Sequence, residues 1–371
     1  MKESIFRKAV KRLEIAIRRG FIASLQFRGR FRSKTDKSGK ALPLQLPEHP
    51  TILFLRQDRL GDAIVSTPVF LALYKKYPAA HFIMLLGENN KGMADLLPIP
   101  CEIVIYRKKP FADLVMLSKL RRRKIDVLID LMDNPSSTSS ILTAAISARY
   151  SVGIEKENSS SYTHTVPLVD RAKFHVARRI AELVRPFGID PDSLSLRPVL
   201  KDLVVQQTPG RIGLVISAGA ASRYASVEAN AGIAAGVLAE GYATEVIIFF
   251  HPKDKKLAEQ IIDRTNDSRI KLGKATTKFA EYAAQIKSCE LIISPDTSAL
   301  HLCSAYGIPV VGLYAPFPPE LHYWTPIGVP YEMIVQEPSL ESLAAADVIE
   351  LVRKLRERVK PQVRQEAITS A

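Results

Sequence analysis

Residues 51–78 read TILFLRQDRLGDAIVSTPVFLALYKKYP, and this stretch decides the fold. A run of apolar and β-branched residues, 51–57, leads into a loop rich in Arg and Asp, and an apolar segment with helical spacing, 66–77, follows. The same alternation recurs in HFIMLLG (81–87), EIVIYR (102–107) and DVLIDLM (126–132), with another helix-compatible segment over 111–124. This alternation predicts βαβ units around a parallel sheet.

A second series of strand-like runs begins at residue 210. Its members are GRIGLVISAGA (210–220), ATEVIIFF (243–250), CELIISPD (289–296) and IPVVGLYAP (308–316), with helical stretches over 228–240, 254–264 and 278–288. A chain of 371 residues is long for one core, so the two series predict two Rossmann-like domains. The predicted divisions are a basic arm (1–45), an N-terminal domain (46–200), a C-terminal domain (201–340), and a helix and tail (341–371). The helix-like part of the last segment, 341–359, can pack back across the first half.

The composition is typical of a soluble globular protein. Hydrophobic residues make up 47% of the chain, and no apolar run approaches the ~20 residues that a membrane-spanning helix needs. The three cysteines are scattered and form no C-x-x-C pair, which favours a reducing cytoplasm over an oxidising compartment. We expect an unexported, cytoplasmic protein.

The basic charge is concentrated at the N-terminus. Residues 1–40 contain 13 Lys or Arg and three acids, so they supply +10 of the net charge of +14. No exposed-aromatic pattern or nucleic-acid-binding motif accompanies this charge, and we expect no nucleic-acid partner. If the arm is helical, six apolar residues form a stripe opposite most of its basic residues: Ile5, Val10, Leu13, Ile17, Phe21 and Leu25. Such a helix suits an anionic membrane surface; packing on the protein itself is the alternative.

The strand-to-helix loops of the second series hold the candidate ligand site. In LIISPDTSALHLCSAYG (291–307), Asp296 or Thr297 can cap the next helix and Gly307 can end it. Thr297 and His301 are four residues apart and therefore share one helix face. A hydroxyl, free backbone N–H groups and an imidazole at a helix N-terminus suit a phosphate-bearing ligand. The alternative is an ordinary capped helix in which His301 is a buried core residue.

A second loop of this kind is ISAGAASRYASVE (216–228). Ser217 and Gly219 let backbone N–H groups approach a phosphate, and Arg223 can neutralise a diphosphate; a mobile surface loop with a solvated Arg is the alternative. Neither G-x-G-x-x-G nor G-x-x-x-x-G-K-[ST] occurs in the chain. Their absence weakens a dehydrogenase or P-loop assignment.

Taken together, these motifs resemble glycosyltransferase family 9, the ADP-heptose:lipopolysaccharide heptosyltransferases. The resemblance covers roughly residues 51–355 through RLGDAIVSTPVFLALYKKYP, KFHVARRIAELVRPFGI, ISAGAASRYASVE and LIISPDTSALHLCSAYGIPVVGLYAPFPPELHYWTPIG, in family order. It implies an α/β GT-B fold, with two Rossmann-like domains facing across a cleft, the acceptor on the first and the nucleotide sugar on the second. It also implies an ADP-heptose donor, a lipid-anchored glycan acceptor on the cytoplasmic leaflet of the inner membrane, and no metal or other cofactor.

The resemblance also implies roles for single residues. Asp62 falls on the acid that acts as general base in an inverting transfer, and Gly61 is expected to let the backbone turn sharply before it. The alternative for Asp62 is a helix cap, with a regular helix starting only at Pro68. Arg56 and Arg59 are expected to hold acceptor phosphates or carboxylates; a solvated loop is their alternative.

On the donor side, Asp296, Thr297 and His301 match the family pattern D-T/S-x-x-x-H. Ser298 stands where many members have Gly, and Arg223 stands where the family usually has Lys. The sequence therefore predicts a heptosyltransferase-like glycosyltransferase. A nicotinamide-dependent oxidoreductase and a non-catalytic nucleotide-sugar-binding protein are the alternatives from other classes.

Overall fold

The structure, a computed structural model, describes residues 43–318 and 322–369. Nearly all of the predicted N-terminal arm, with its amphipathic helix and membrane contact, lies outside these residues. The described chain divides into two compact units. Of the described residues, the first unit contains 43–59, Pro68–Lys91 and Ile99–Ser195, and the second contains Leu60–Thr67, Gly92–Pro98, 196–318 and 322–369.

The first unit is built on a six-stranded parallel sheet with the order β3-β2-β1-β4-β5-β6. Its strands are β1 (Thr51–Arg56), β2 (His81–Gly87), β3 (Glu102–Tyr106), β4 (Val127–Asp130), β5 (Tyr150–Ile154) and β6 (His164–Val166). The helices in this part of the chain are α1 (Leu60–Val65), α2 (Thr67–Lys76), α3 (Pro110–Arg122), α4 (Ser137–Ile146) and α5 (Val176–Ala181). By its contacts, α1 belongs to the second unit.

The second unit repeats this plan, with the order β12-β11-β10-β7-β8-β9 and parallel pairing throughout. Its strands are β7 (Arg211–Val215), β8 (Glu245–Phe249), β9 (Ile270–Leu272), β10 (Leu291–Pro295), β11 (Val310–Tyr314) and β12 (Tyr331–Val335). Its helices are α6 (Val227–Ala239), α7 (Lys255–Thr265), α8 (Phe279–Lys287), α9 (Ser298–Tyr306) and α10 (Ala345–Thr369). Counted within each half, both sheets have the order 3-2-1-4-5-6 of dinucleotide-binding folds. The prediction of two Rossmann-like parallel sheets is confirmed.

Burial explains why the strands read as continuous apolar runs. In β1 every residue after Thr51 is buried, because helices cover both faces of a parallel sheet. A core cluster of the first unit joins Leu53 and Leu55 to Leu120 of α3, and a larger cluster of the second unit joins Ile212 and Leu214 to its helices. None of the described helices combines the length and apolar content required to cross a bilayer.

The C-terminal helix α10 packs within the second unit. Val348, Val352 and Leu355 are fully buried in its core cluster. Gly232 and Gly236 of α6 make room for this helix, since a Cβ on Gly236 would lie 2.1 Å from Cδ1 of Ile349. The apolar stripe of this helix therefore covers the sheet that immediately precedes it in the chain, and contact with the first half stays a prediction.

Candidate active site

The strand order of each sheet reverses between its first and fourth strands, and ligands of such sheets bind beyond the carboxyl ends of these strands. In the second unit these strands are β7 and β10. The loop 216–226 follows β7, and the segment 296–298 follows β10. The predicted donor residues therefore lie at the position where this topology binds ligands.

The segment after β10 forms a regular helix N-terminus. Thr297 is the N-cap of α9: its Oγ1 accepts a hydrogen bond from the N–H of Ala299 at 3.3 Å and lies 3.1 Å from Oγ of Ser294. Gly307 ends the helix with a left-handed φ of 78°. Both predicted caps are confirmed, and they orient the N-terminal end of the α9 dipole toward the carboxyl end of β10.

Helix α1, which carries Asp62, packs against α9. A Cβ on Gly61 would lie 2.9 Å from Cδ2 of His301 and 3.9 Å from Cα of Ser298. Asp62 is the next residue and is largely buried, and its carbonyl oxygen accepts a hydrogen bond from Oγ of Ser66 at 2.7 Å. The candidate base and the candidate donor residues are thus neighbours within one unit.

This packing corrects the expected role of Gly61. The sequence suggested a sharp turn at Gly61 and a regular helix only from Pro68, whereas residues 60–65 are already helical and Gly61 does not have a positive φ. Glycine is required here because the side chain of His301 occupies the space of a Cβ. Helix α1 ends where Thr67 donates from Oγ1 to the carbonyl of Ile64 at 2.8 Å, and α2 then begins. Asp62 is consequently an internal helix residue and not a cap.

His301 is buried, with 3% of its surface exposed. Burial lowers the pKa of its imidazole to about 4, so the ring is neutral at neutral pH. Its ring centroid lies 6.1 Å from that of Trp324. In the described part of the chain, no hydrogen bond to the His301 ring is found. A neutral imidazole offers a ligand one N–H donor and one nitrogen acceptor, and no charge.

Arg223 is held against the start of α9. Its Nη1 donates to the carbonyl of Asp296 at 2.9 Å and lies 3.0 Å from the Asp296 carboxylate. Both contacts use Nη1, so within the described residues Nε and Nη2 are not engaged in hydrogen bonds. The predicted residues Arg223 and Asp296 are brought together, and the guanidinium is oriented rather than solvated, with its remaining donors available for bidentate contact to an anion.

The other two loop residues have different surroundings. Ser217 accepts a hydrogen bond at Oγ from the N–H of His251 at 2.8 Å, so its side chain fixes the start of the loop after β8. A Cβ on Gly219 would meet nothing within 4 Å. The protein itself therefore does not require glycine at position 219, and the space beside it is open.

Sequence reasoning missed a group of aromatic residues beside these loops. Phe317 and Tyr323 stack with ring centroids 4.6 Å apart, and Cζ of Arg223 lies 5.8 Å from the centre of the Phe317 ring. They follow β11, whose last residue, Tyr314, lies edge-on to Tyr323 at 5.4 Å. The available signal was the run LYAPFPPELHYWTP, which places three aromatic residues soon after a buried strand that itself ends in Tyr314. These rings supply an apolar surface next to Arg223.

The first unit places Arg56 and Arg59 in contrasting environments. Arg56 is fully buried, donates from Nη1 to the carbonyl of Leu131 at 2.6 Å, and lies 3.4 Å from the carboxylate of Asp58. It therefore joins the ends of β1 and β4 in this structure. Arg59 is exposed. Acceptor contact by these two residues stays a prediction.

A buried polar network at the end of β4 was also missed. The carboxylate of Asp130 pairs with Nζ of Lys156 at 3.0 Å and accepts hydrogen bonds from the hydroxyls of Tyr162 and Ser139. Burial and the neighbouring Asp130 charge raise the pKa of Tyr162 well above its usual value, so the phenol stays protonated and donates. These residues lie where the strand order of the first sheet reverses. Their hydrogen-bond network is rigid and fixes the loop after β4.

Among the described residues, no three His, Cys, Asp or Glu side chains are grouped closely enough to hold a metal ion. Metal independence stays a prediction.

Comparison with known proteins shows similarity to one glycosyltransferase family. Residues 228–350 match glycosyltransferase family 9 (heptosyltransferase). The chain is 22% identical over 296 residues to the lipopolysaccharide core heptosyltransferase OpsX of Haemophilus influenzae, an alignment that covers 74% of this chain and 81% of that protein. The resemblance inferred from the sequence motifs is confirmed.

Solved structures give the fold. The family 9 glycosyl transferase of Veillonella parvula superimposes with a TM-score of 0.71 at 20% identity, over 84% of this chain and 98% of that one. The E. coli heptosyltransferase WaaC with ADP-2-deoxy-2-fluoro heptose superimposes with a TM-score of 0.67 at 14% identity, over 82% and 99% of the two chains. The predicted GT-B fold class is confirmed. By its similarity to these proteins the protein is a heptosyltransferase-like glycosyltransferase, and its residues 228–350 match glycosyltransferase family 9.

Proposed function

We propose that the protein transfers a heptose from ADP-heptose to a lipopolysaccharide core acceptor, with inversion at the anomeric carbon, with Asp62 as general base and without a metal ion. The observation that carries this proposal is the packing of Gly61 against His301 and Ser298. It makes Asp62 a neighbour of helix α9, whose N-cap residue is Thr297. One relative is named for lipopolysaccharide core heptosyl transfer, and one structural neighbour contains an ADP-heptose analogue.

In this mechanism the Asp62 carboxylate accepts the proton of an acceptor hydroxyl as its oxygen attacks the anomeric carbon. The bond between that carbon and the diphosphate oxygen breaks on the opposite face, and ADP leaves. The negative charge that develops on the diphosphate is stabilised by Nε and Nη2 of Arg223 and by the N-terminal end of α9. Neutral His301 contributes a hydrogen bond and no charge.

A positive charge close to Asp62 in the chain suits the proposed acceptor. A lipid-anchored core glycan carries anionic groups, and exposed Arg59 stands three positions before Asp62 in the chain. The enzyme then works as a peripheral protein at the cytoplasmic face of the inner membrane, where such an acceptor is assembled. The basic N-terminal arm supports this location by its charge.

The decisive experiment replaces Asp62 by Asn and measures transfer from ADP-heptose to a core oligosaccharide. We expect kcat to fall by roughly 10² to 10⁴ while calorimetric affinity for ADP is retained. Asp95→Asn, which alters an exposed carboxylate of the same unit, is the matched control and should leave kcat unchanged. Near-wild-type turnover of Asp62→Asn would refute the general base.

Two further measurements test the rest of the proposal. The anomeric configuration of the product, read by NMR, should be opposite to that of the donor, and retention would exclude a single displacement. A chelator should leave turnover unchanged. Among ADP- and UDP-sugars, ADP-heptose should raise the thermal midpoint most, because a ligand at 100 times its Kd adds about 2.7 kcal/mol of stability.

A further inference from the structure

Helix α3 of the first unit has apolar side chains on two faces. Leu120 is buried in a core cluster, and Met116 and Leu117 pack against the same cluster. On another face, Phe111, Leu114 and Val115 are 88%, 66% and 55% exposed. Folding accounts for the first face only, since large apolar side chains grouped on a surface signal contact with something else.

The three exposed residues form one continuous patch. They stand at positions i, i+3 and i+4 of a 13-residue helix, so their side chains are neighbours on its surface. Ser118, seven residues after Phe111, is exposed on the same face. We call Phe111, Leu114, Val115 and Ser118 the outer face of α3.

Basic residues surround the outer face at both ends of the helix. The segment 107–124 contains eight Lys or Arg and a single acid, Asp113, which is buried and accepts a hydrogen bond from the N–H of Arg107. Two of the eight pair with carboxylates, Arg107 with Glu88 and Arg123 with Glu102. Within the described residues the other six have no ion-pair partner: Lys108, Lys109, Lys119, Arg121, Arg122 and Lys124.

Two of these lysines occupy backbone positions that favour glycine. Lys108 and Lys124, which flank α3, have φ values of 58° and 49°. A non-glycine residue in the left-handed region is uncommon and costs conformational energy. At both ends of the helix the chain therefore keeps a positive charge where glycine would fit with less strain.

We propose that the outer face of α3 and its basic rim form a docking surface for an anionic lipid bilayer. Apolar side chains enter the boundary between headgroups and acyl chains, and the rim lysines and arginines contact the lipid phosphates. Charge favours an anionic bilayer over two other possible occupants, the N-terminal arm of this chain and a second copy of the chain. Residues 1–40 of the chain carry +10, and a second copy would present the same basic rim, so both are repelled.

This surface rests on its own geometry. Only its purpose, which is to hold the enzyme beside a lipid-anchored acceptor, rests on the proposed function. The test therefore uses vesicles without any acceptor or sugar donor. If the wild-type protein binds vesicles but shows no transfer in a separate assay with ADP-heptose and acceptor, the proposed function fails and the docking surface stands. If it transfers sugar in that assay but does not bind vesicles, the docking surface fails and the proposed function stands.

The experiment places an environment-sensitive fluorophore on the full-length protein through Ser118→Cys. Labelling is selective, because Cys289 and Cys303 are buried and burial raises the pKa of the Cys101 thiol to about 12. We expect the emission of the probe to shift to the blue with phosphatidylglycerol–phosphatidylcholine vesicles, and not with phosphatidylcholine alone. A probe at Gln260→Cys, exposed on α7, should not shift.

Substitutions then separate the two parts of the surface. Phe111→Ser with Leu114→Ser, or Arg121→Glu with Arg122→Glu, should lower vesicle partitioning of the full chain by about tenfold or more. Val204→Ser, which removes an even more exposed apolar side chain of the second unit, should leave partitioning unchanged.

Three outcomes would overturn the proposal. An unshifted probe on a protein that still sediments with vesicles would assign binding to residues 1–40. Blue-shifted emission before vesicles are added would mean that the chain itself covers the outer face. An equal shift with neutral vesicles would remove the basic rim from the mechanism.

Discussion

Gly61 and His301 are in such close contact that a Cβ on Gly61 would lie 2.9 Å from Cδ2 of the imidazole. Gly61→Ala should therefore displace the His301 ring and weaken ADP binding. Helix propensity favours Ala by up to about 1 kcal/mol, but overpacking costs about 1 to 3 kcal/mol, so the free energy of unfolding should not rise.

The same substitution should behave differently once the ring is removed. In a His301→Ala background, Gly61→Ala should raise the free energy of unfolding by about 0.5 to 1 kcal/mol, because only helix propensity remains. Gly219→Ala is the control, since its Cβ would meet nothing within 4 Å. Equal effects of Gly61→Ala in both backgrounds, measured by urea denaturation, would show that the two helices are not packed as described.

Arg223 offers a test of the donor site. Arg223→Ala should weaken calorimetric ADP affinity by about 1.5 to 3 kcal/mol, because a charge-assisted contact to the diphosphate is lost. Arg223→Lys should recover only part of this, since an ammonium lacks the planar fork. Arg264→Ala, which breaks the exposed pair with Glu228 in the same unit, should leave affinity unchanged. An unaltered affinity in Arg223→Ala would place the diphosphate elsewhere.

The sequence predicted features that depend on local patterns. Apolar runs located the strands, and Thr297 and Gly307 marked the ends of α9 because capping involves residues close together in the chain. The role of Gly61 depends on a partner distant in sequence, so its pattern resembled a turn. The burial of Arg56 was missed for the same reason: its hydrogen-bond acceptor, the carbonyl of Leu131, becomes a neighbour only when β1 and β4 pair.

Burial of His301 should make stability pH-dependent. Its pKa is about 4 in the folded protein against 6.5 unfolded, so the unfolded chain binds a proton between these values that the native state does not. The contribution of the neutral His301 ring to the free energy of unfolding is fully present above pH 6.5 and is lost as the pH falls toward 4. At pH 5 the free energy of unfolding should be lower by about 2 kcal/mol. In denaturant unfolding, His301→Gln should lack this pH dependence of the free energy of unfolding. His49→Gln, which replaces an exposed histidine, should retain it. Identical pH profiles for the wild type and His301→Gln would contradict the burial.

The buried ion pair of Asp130 and Lys156 should contribute far more to stability than an exposed pair. The side chains of Asp130 and Lys156 are 0% and 1% exposed, and Lys156 also donates to the carbonyl of Met132. Lys156→Met leaves a carboxylate in a medium that cannot solvate it, and should lower the free energy of unfolding by about 3 to 5 kcal/mol. Lys255→Ala, which breaks an exposed pair with Glu259, should cost no more than about 1 kcal/mol.

A double substitution separates charge from packing at this site. If the cost of Lys156→Met comes from the uncompensated Asp130 charge, adding Asp130→Asn should restore part of the lost stability, because a neutral amide tolerates burial better than a lone carboxylate. The hydroxyl of Tyr162, which donates to the Asp130 carboxylate in the wild type, can still donate to the amide oxygen. Additive losses in the double variant, read from urea denaturation midpoints, would instead mean that Lys156 stabilises the end of β4 through its packing and its contact with Met132.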